Sequence, residues 1–226
     1  MQPRAVRPLP TILLTGFGPF PGVPVNASAH LAKKLAHLAA RRFPGHRVVA
    51  RELPVVWAVA VEKLEALYAT ERPKLALHFG VSEMARGFVI ETVARNATSA
   101  ALDAEGRRTS ARVIVPNGPA TLMTMLPAGD IVARLEDLGV PVYLSGDAGR
   151  YLCNAIFYAA LRSVRGAAPL AMAGFIHIPA SLAGFGLKGR QPSPDCPLSP
   201  ESALAGGLEI IRTCLGRPSS KRVKAR

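Results

Sequence analysis

Apolar residues fall into two kinds of segment along this chain. Short unbroken runs alternate with longer stretches in which apolar side chains recur at helical spacing. Thr11–Gly16, Arg47–Val56, Lys74–Gly80, Gly87–Asn96, Val140–Ser145 and Ala171–Pro179 read as strands. Most lack in/out alternation, as expected of strands covered on both faces. Between them, Asn26–Phe43 places Leu31, Leu35 and Leu38 at helical spacing behind a candidate N-cap, Asn26 or Ser28. Ala58–Thr70, Gly129–Leu138 and Gly149–Val164 are also helical. Ser199–Leu215 is a final helix with Ser199 as cap and Pro200 at its first position. Ala97–Leu126 reads as loop with short elements. The alternation predicts an α/β fold: a single three-layer domain over residues 11–215, with a mostly parallel twisted sheet and helices on both faces.

Composition narrows the picture. The chain has 226 residues, 49% of them hydrophobic and 19% charged, which is ordinary for a globular protein. No stretch approaches the ~20 apolar residues of a membrane span, and Thr11–Phe17 is too short for the apolar core of a signal peptide. Three widely spaced cysteines, Cys153, Cys196 and Cys214, match neither a disulfide framework nor zinc-ligand spacing and fit a reducing compartment. The expectation is a cytoplasmic protein without metal or cofactor.

The net charge of +13 raises the question of nucleic acid. Seven of those charges sit in the ends: Arg4 and Arg7 in residues 1–10, and Arg217, Lys221, Arg222, Lys224 and Arg226 in residues 216–226. Such tails read as flexible, solvated ends. They supply at most a salt-sensitive, sequence-independent attraction, which argues against a nucleic-acid function.

The candidate chemistry centres on Cys153, in Ser145-Gly-Asp-Ala-Gly-Arg-Tyr-Leu-Cys153-Asn154. Most free cysteines are buried and inert, and Cys196 and Cys214 read that way. Cys153 instead falls in the first turn after a strand and a Gly-containing turn. There the unpaired backbone N–H groups and the helix dipole favour a thiolate, the nucleophilic form. His177 closes an apolar strand, at the edge where open parallel sheets bind ligands, and can serve as base and acid. Glu91, flanked by apolar residues in Phe88-Val-Ile-Glu91, needs a partner if buried, and the His177 ring N–H is the natural one. Phe17 and Phe20, three apart in a Gly/Pro turn, can sandwich a flat ring, with Asn26 near enough to bond a ring amide. Each has a plainer reading: a core histidine, a solvent-facing acid, and rings that plug the core.

Taken in order, these segments resemble the pyroglutamyl peptidase I (pyrrolidone-carboxylate peptidase) family of cysteine peptidases. The stretches carrying the resemblance are Leu13-Leu-Thr-Gly-Phe17-Gly-Pro-Phe20, Leu53-Pro-Val-Val56, Leu77-His-Phe-Gly80, Ile90-Glu91-Thr-Val-Ala-Arg-Asn96, the Cys153 segment and Ala173-Gly-Phe-Ile-His177-Ile-Pro179. The resemblance implies removal of N-terminal pyroglutamate (5-oxoproline) from small peptides through a thioester. Cys153 would be nucleophile, His177 acid and base, and Glu91 the group orienting the imidazole, with Phe17, Phe20 and Asn26 binding substrate. It also implies a cytoplasmic homo-oligomer, a tetramer or dimer, and no cofactor.

Four places depart from the family pattern. Thr92 and Ala101 stand where the family has basic residues, Met84-Ala85-Arg86 lacks the family's glycines, and Asp147 replaces a serine near the thiol. Asp147 would oppose a thiolate unless Arg150 neutralises it. Arg95 or Arg107 could make up for Ala101. These departures predict an altered substrate preference or rate. The alternatives are a related thiol amidase with another small substrate and an inactive binding protein on the same scaffold.

Overall fold

The computed structural model describes residues 8–165, 171–182 and 197–216. In chain order the elements are β1 (Thr11–Phe17), α1 (Ala27–Arg42), β2 (Arg47–Leu53), α2 (Trp57–Glu71), β3 (Leu75–Ser82), β4 (Phe88–Glu91), β5 (Val93–Arg95), β6 (Thr121–Met123), α3 (Ala128–Glu136), β7 (Val142–Ser145), α4 (Leu152–Arg165), β8 (Met172–Pro179) and α5 (Pro200–Cys214). Of the expected tails, 1–10 and 216–226, residues 1–7 and 217–226 lie outside the described residues, as does Cys196.

A six-stranded sheet runs in the order β2-β1-β3-β8-β4-β7. Alternate side chains of its central strands enter opposite cores. Ile12 and Leu14 pack with α1, α3 and α5, while Leu13 packs with α2 and α4. Both faces are thus covered, which is why the strand sequences show no polar alternation. The fold is α/β, as expected.

Three details differ from the sequence reading. The strand expected over Gly87–Asn96 is two strands broken at Thr92, whose backbone N–H and hydroxyl both donate to the Ser145 carbonyl. β4 stays in the main sheet, and β5 leaves it to pair with β6, inside the segment expected to be mostly loop. β2 stops at Leu53, before Pro54, which has no N–H to continue a ladder.

The third difference is direction. β2, β1, β3 and β8 are parallel, but β4 is antiparallel to β8, and β7 is parallel to β4. The end of β7 therefore does not share the C-terminal edge of β8, on which the sequence argument relied.

Caps follow local chemistry where the chain supplies it. Asn26 Oδ1 accepts from the Ser28 N–H at the start of α1, and Ser199 Oγ accepts from Ser202 at the start of α5. α2 has no local side-chain cap. Its Trp57 N–H donates instead to Asp103 Oδ2, 46 residues further along, at 3.1 Å. Burial would raise the Asp103 pKa, but N–H donors from Arg107, Trp57 and Glu105 outweigh it and hold the carboxyl below its ordinary value.

Candidate active site

β4 and β8 bring Glu91 and His177 together. Val89 pairs with His177 and Glu91 with Phe175, so Glu91 and His177 are diagonal neighbours on one face. Glu91 Oε1 lies 2.7 Å from His177 Nδ1. Both are buried, at 2% and 9% exposure. The solvent-facing alternative for Glu91 is therefore excluded. Its second oxygen, Oε2, is buried without a hydrogen-bond partner among the described residues. That leaves the carboxylate dependent on the imidazole for its compensation.

Cys153 reaches the same place from the other side. β7 is short and ends level with Phe175, because Ser145 pairs with Glu91 and Glu91 with Phe175. The turn after Ser145 then delivers the first turn of α4 over β3 and β8. A Cβ placed on Gly80 would sit 3.0 Å from Cys153 Sγ, so the absence of a side chain there lets the thiol settle close to the sheet. Cys153 is half-buried and hydrogen-bonded to His177. Burial alone would lower the His177 pKa. The charge and hydrogen bond of Cys153, followed by those of Glu91, override it and raise the value to about 10. A positive imidazolium held between a sulfur and a carboxylate is the arrangement needed for nucleophilic attack followed by proton delivery to a leaving group.

Phe17, Phe20 and Asn26 line a small cavity that opens onto Cys153, with Val55, Val81 and Tyr151 as further walls. Its volume is about 100 Å³. That is roughly the space of three waters, suited to a small ring and too small for a peptide chain. The Asn26 amide is heavily engaged: Oδ1 accepts from the Ser28 N–H and hydroxyl, and Nδ2 donates to the Gly18 carbonyl at 3.0 Å. These bonds hold the Phe17–Phe20 turn against α1.

Two groups that the sequence reading left without a role stand out here. Asn154 is fully buried and accepts from the Arg95 N–H while donating to the Arg95 and Ala97 carbonyls, tying α4 to β5. Tyr151 packs edge-on against Trp57, with ring centroids 5.3 Å apart, and donates to the Leu102 carbonyl. Their signal was adjacency to Cys153; their partners are distant in sequence.

The departures also find their places. Asp147 accepts from Arg150 at 2.6 Å and lies 3.8 Å from Arg95. Burial works against the charged form, but the hydrogen bonds from Arg150 and Gly149 and both guanidinium charges lower the Asp147 pKa overall. The acid near the thiol is thus neutralised, with Arg150 the principal partner. Ala101 is exposed and offers its carbonyl to Trp57 Nε1. Arg107 pairs with Glu105. Cys214 is buried, which pushes its thiol up to about 12 and leaves it inert near neutral pH. Among the described residues, no group of His, Cys, Asp and Glu has a metal-binding arrangement, and no helix is long and apolar enough to cross a membrane.

The chain as a whole is similar to known proteins. A family model for pyroglutamyl peptidase matches residues 10–201. A pyrrolidone-carboxylate peptidase of Ralstonia nicotianae is 33% identical over 95% of this chain and 97% of its own length. One from Pyrococcus furiosus is 36% identical over 74% of this chain and 80% of its own. Among solved structures, a mutant pyrrolidone carboxyl peptidase from P. furiosus superposes with a TM-score of 0.79 at 31% identity, covering 91% of this chain and 98% of that one. Pyroglutamyl peptidase I of Bacillus amyloliquefaciens gives 0.77 at 28% identity, covering 91% and 97%.

Proposed function

The chain belongs to the pyroglutamyl peptidase family, and from that premise we propose that Cys153, His177 and Glu91 carry out its reaction. The protein is a cysteine-type peptidase that removes N-terminal pyroglutamate from peptides. The observation that most supports the assignment is the continuous Cys153–His177–Glu91 hydrogen-bonded chain, with Nδ1 and Oε1 2.7 Å apart.

In this reading the pyroglutamyl ring enters the cavity between Phe17 and Phe20, beside Asn26, and its acyl carbon faces Cys153. The thiolate attacks that carbon, and the carbonyl electrons move to oxygen. Backbone N–H groups at the start of α4, which have no partner within the helix, stabilise the oxyanion. The intermediate collapses as the C–N bond breaks, and His177 gives its proton to the leaving amine. Water then attacks the thioester while His177 takes its proton. Collapse releases pyroglutamate and restores the thiolate–imidazolium pair. Glu91 holds the ring tautomer and stabilises the imidazolium throughout. A cytoplasmic location and a homo-oligomer, a tetramer or dimer, complete the proposal; light scattering of the purified protein reads the latter.

Hydrolysis of a pyroglutamyl fluorogenic amide tests the assignment. Cys153→Ala is expected to abolish turnover, and Glu91→Gln to lower kcat by about 10²–10⁴. Activity unchanged by Cys153→Ala would refute it.

A further inference from the structure

Cys153 opens onto two spaces. One is the ring cavity of about 100 Å³. The other is an open cleft of about 790 Å³ on the His177 side. Val81, Tyr151 and Cys153 border both. We propose that this second cleft is an apolar subsite for the first residues of the leaving peptide, and that Met84 and Tyr143 set its preference. The inference rests on the pyroglutamyl peptidase reading and deepens it.

The sheet register carries the argument. Gly80 pairs with His177, His177 with Val89, and Val89 with Tyr143. These four positions therefore form one row across four strands, and the side chains of His177, Val89 and Tyr143 share the face on which Gly80 leaves room for the thiol. Cys153 sits above the first and the acid–base group is the second. Val89 and Tyr143 continue the floor away from the ring cavity. Adjacent strands are about 4.8 Å apart, which puts Tyr143 roughly 10 Å from His177. An extended peptide covers that distance in about three residues. His177 must protonate the departing nitrogen, so the chain attached to that nitrogen leaves over this floor.

The chemistry of the lining fits apolar side chains. Met84 and Tyr143 are 85% and 51% exposed, unusually open for large apolar residues beside a reaction centre. The charged groups of the cleft each have a partner within the protein. Asp147 is bonded to Arg150, Glu91 Oε1 to His177, and Arg86 Nη1 to the Glu83 and Ala85 carbonyls. Apolar surface from Met84, Val89 and Tyr143 is then the largest feature left to discriminate among peptides.

The test compares kcat/KM for pyroglutamyl peptides bearing Leu-Phe or Gly-Gly after the pyroglutamate. The wild type is set against Met84→Ser/Tyr143→Ser, with Val59→Ser, on the exposed face of α2, as control. Both cleft residues are exposed, so the double variant is expected to fold. Apolar-pocket discrimination starts at about tenfold, and an open cleft belongs at that end. The Leu-Phe to Gly-Gly ratio is therefore expected to fall about tenfold in the double variant and to stay put in the control. Inhibition by 5-oxoprolinal, an aldehyde small enough for the ring cavity and without a leaving peptide, monitors the integrity of that cavity. A ratio unchanged in the double variant would overturn the subsite. Failure of the wild type to cleave any pyroglutamyl peptide would instead overturn the reading beneath it.

Discussion

Buried His78 is expected to make this protein sensitive to acid for a reason unrelated to catalysis. It is fully buried in β3, with Thr15 Oγ1 2.7 Å from Nδ1 and the Tyr68 hydroxyl 2.9 Å from Nε2. Each hydroxyl can donate or accept, so the neutral ring is satisfied in either tautomer. Burial penalises the charged ring and lowers its pKa from 6.5 to about 3. In the unfolded chain the same ring takes up a proton near pH 6.5. Below that pH the unfolded state binds the extra proton, so stability falls with decreasing pH until the folded pKa is reached. Each pH unit in that window corresponds to about 1.4 kcal/mol, so the loss is about 2 kcal/mol at pH 5. That is a large fraction of the ~5–15 kcal/mol typical of a folded domain. Urea unfolding at pH 7 and pH 5 for the wild type and His78→Gln reads it. Carboxylates titrate in both proteins and cancel in the difference, so the wild type should lose about 2 kcal/mol more than the variant. Tyr68→Phe keeps the buried imidazole and should keep the acid slope, which separates titration from general weakening of the core. Equal losses in the wild type and His78→Gln would refute the argument.

Two further outcomes probe the active site. The raised His177 pKa stabilises the fold fully below pH 6.5, a contribution lost as pH rises through about 10. Because Cys153 is the largest of the raising influences, Cys153→Ser should lower the His177 titration seen by NMR, and an unchanged titration would show that the two groups are uncoupled. In Gly80→Ala the new methyl would lie 2.8 Å from Phe175 Cζ and 3.0 Å from Cys153 Sγ. It should cost about 1–3 kcal/mol in denaturation and, by displacing the thiol, about 10²-fold in kcat; full activity would mean that the thiol does not need its seat on β3.

Much of this molecule was legible in its residues. Strands, helices and caps depend on neighbours within a few positions, so runs such as Thr11–Phe17 and the Ser199-Pro200 start of α5 announced themselves. Cys153 at a helix start and His177 near a strand end are local facts of the same kind. Strand direction is not, because a strand has the same period of two whichever way it runs. The reversal of β4 and β7 was therefore invisible, and with it the true reason why the Cys153 turn meets His177. Thr92 breaks its strand through a bond to Ser145, 53 residues away. The capping of α2 by Asp103 likewise has no local trace.

What the sequence by itself determined was which residues are candidates for the chemistry and which element holds each one. Only the tertiary structure decided their partnership. It joined Glu91 to His177 across 86 residues, buried the carboxylate, paired Asp147 with Arg150, and laid Val89 and Tyr143 beside His177. Charge pairing and desolvation act through space, and the distances that set them exist only once the sheet has chosen its order and register.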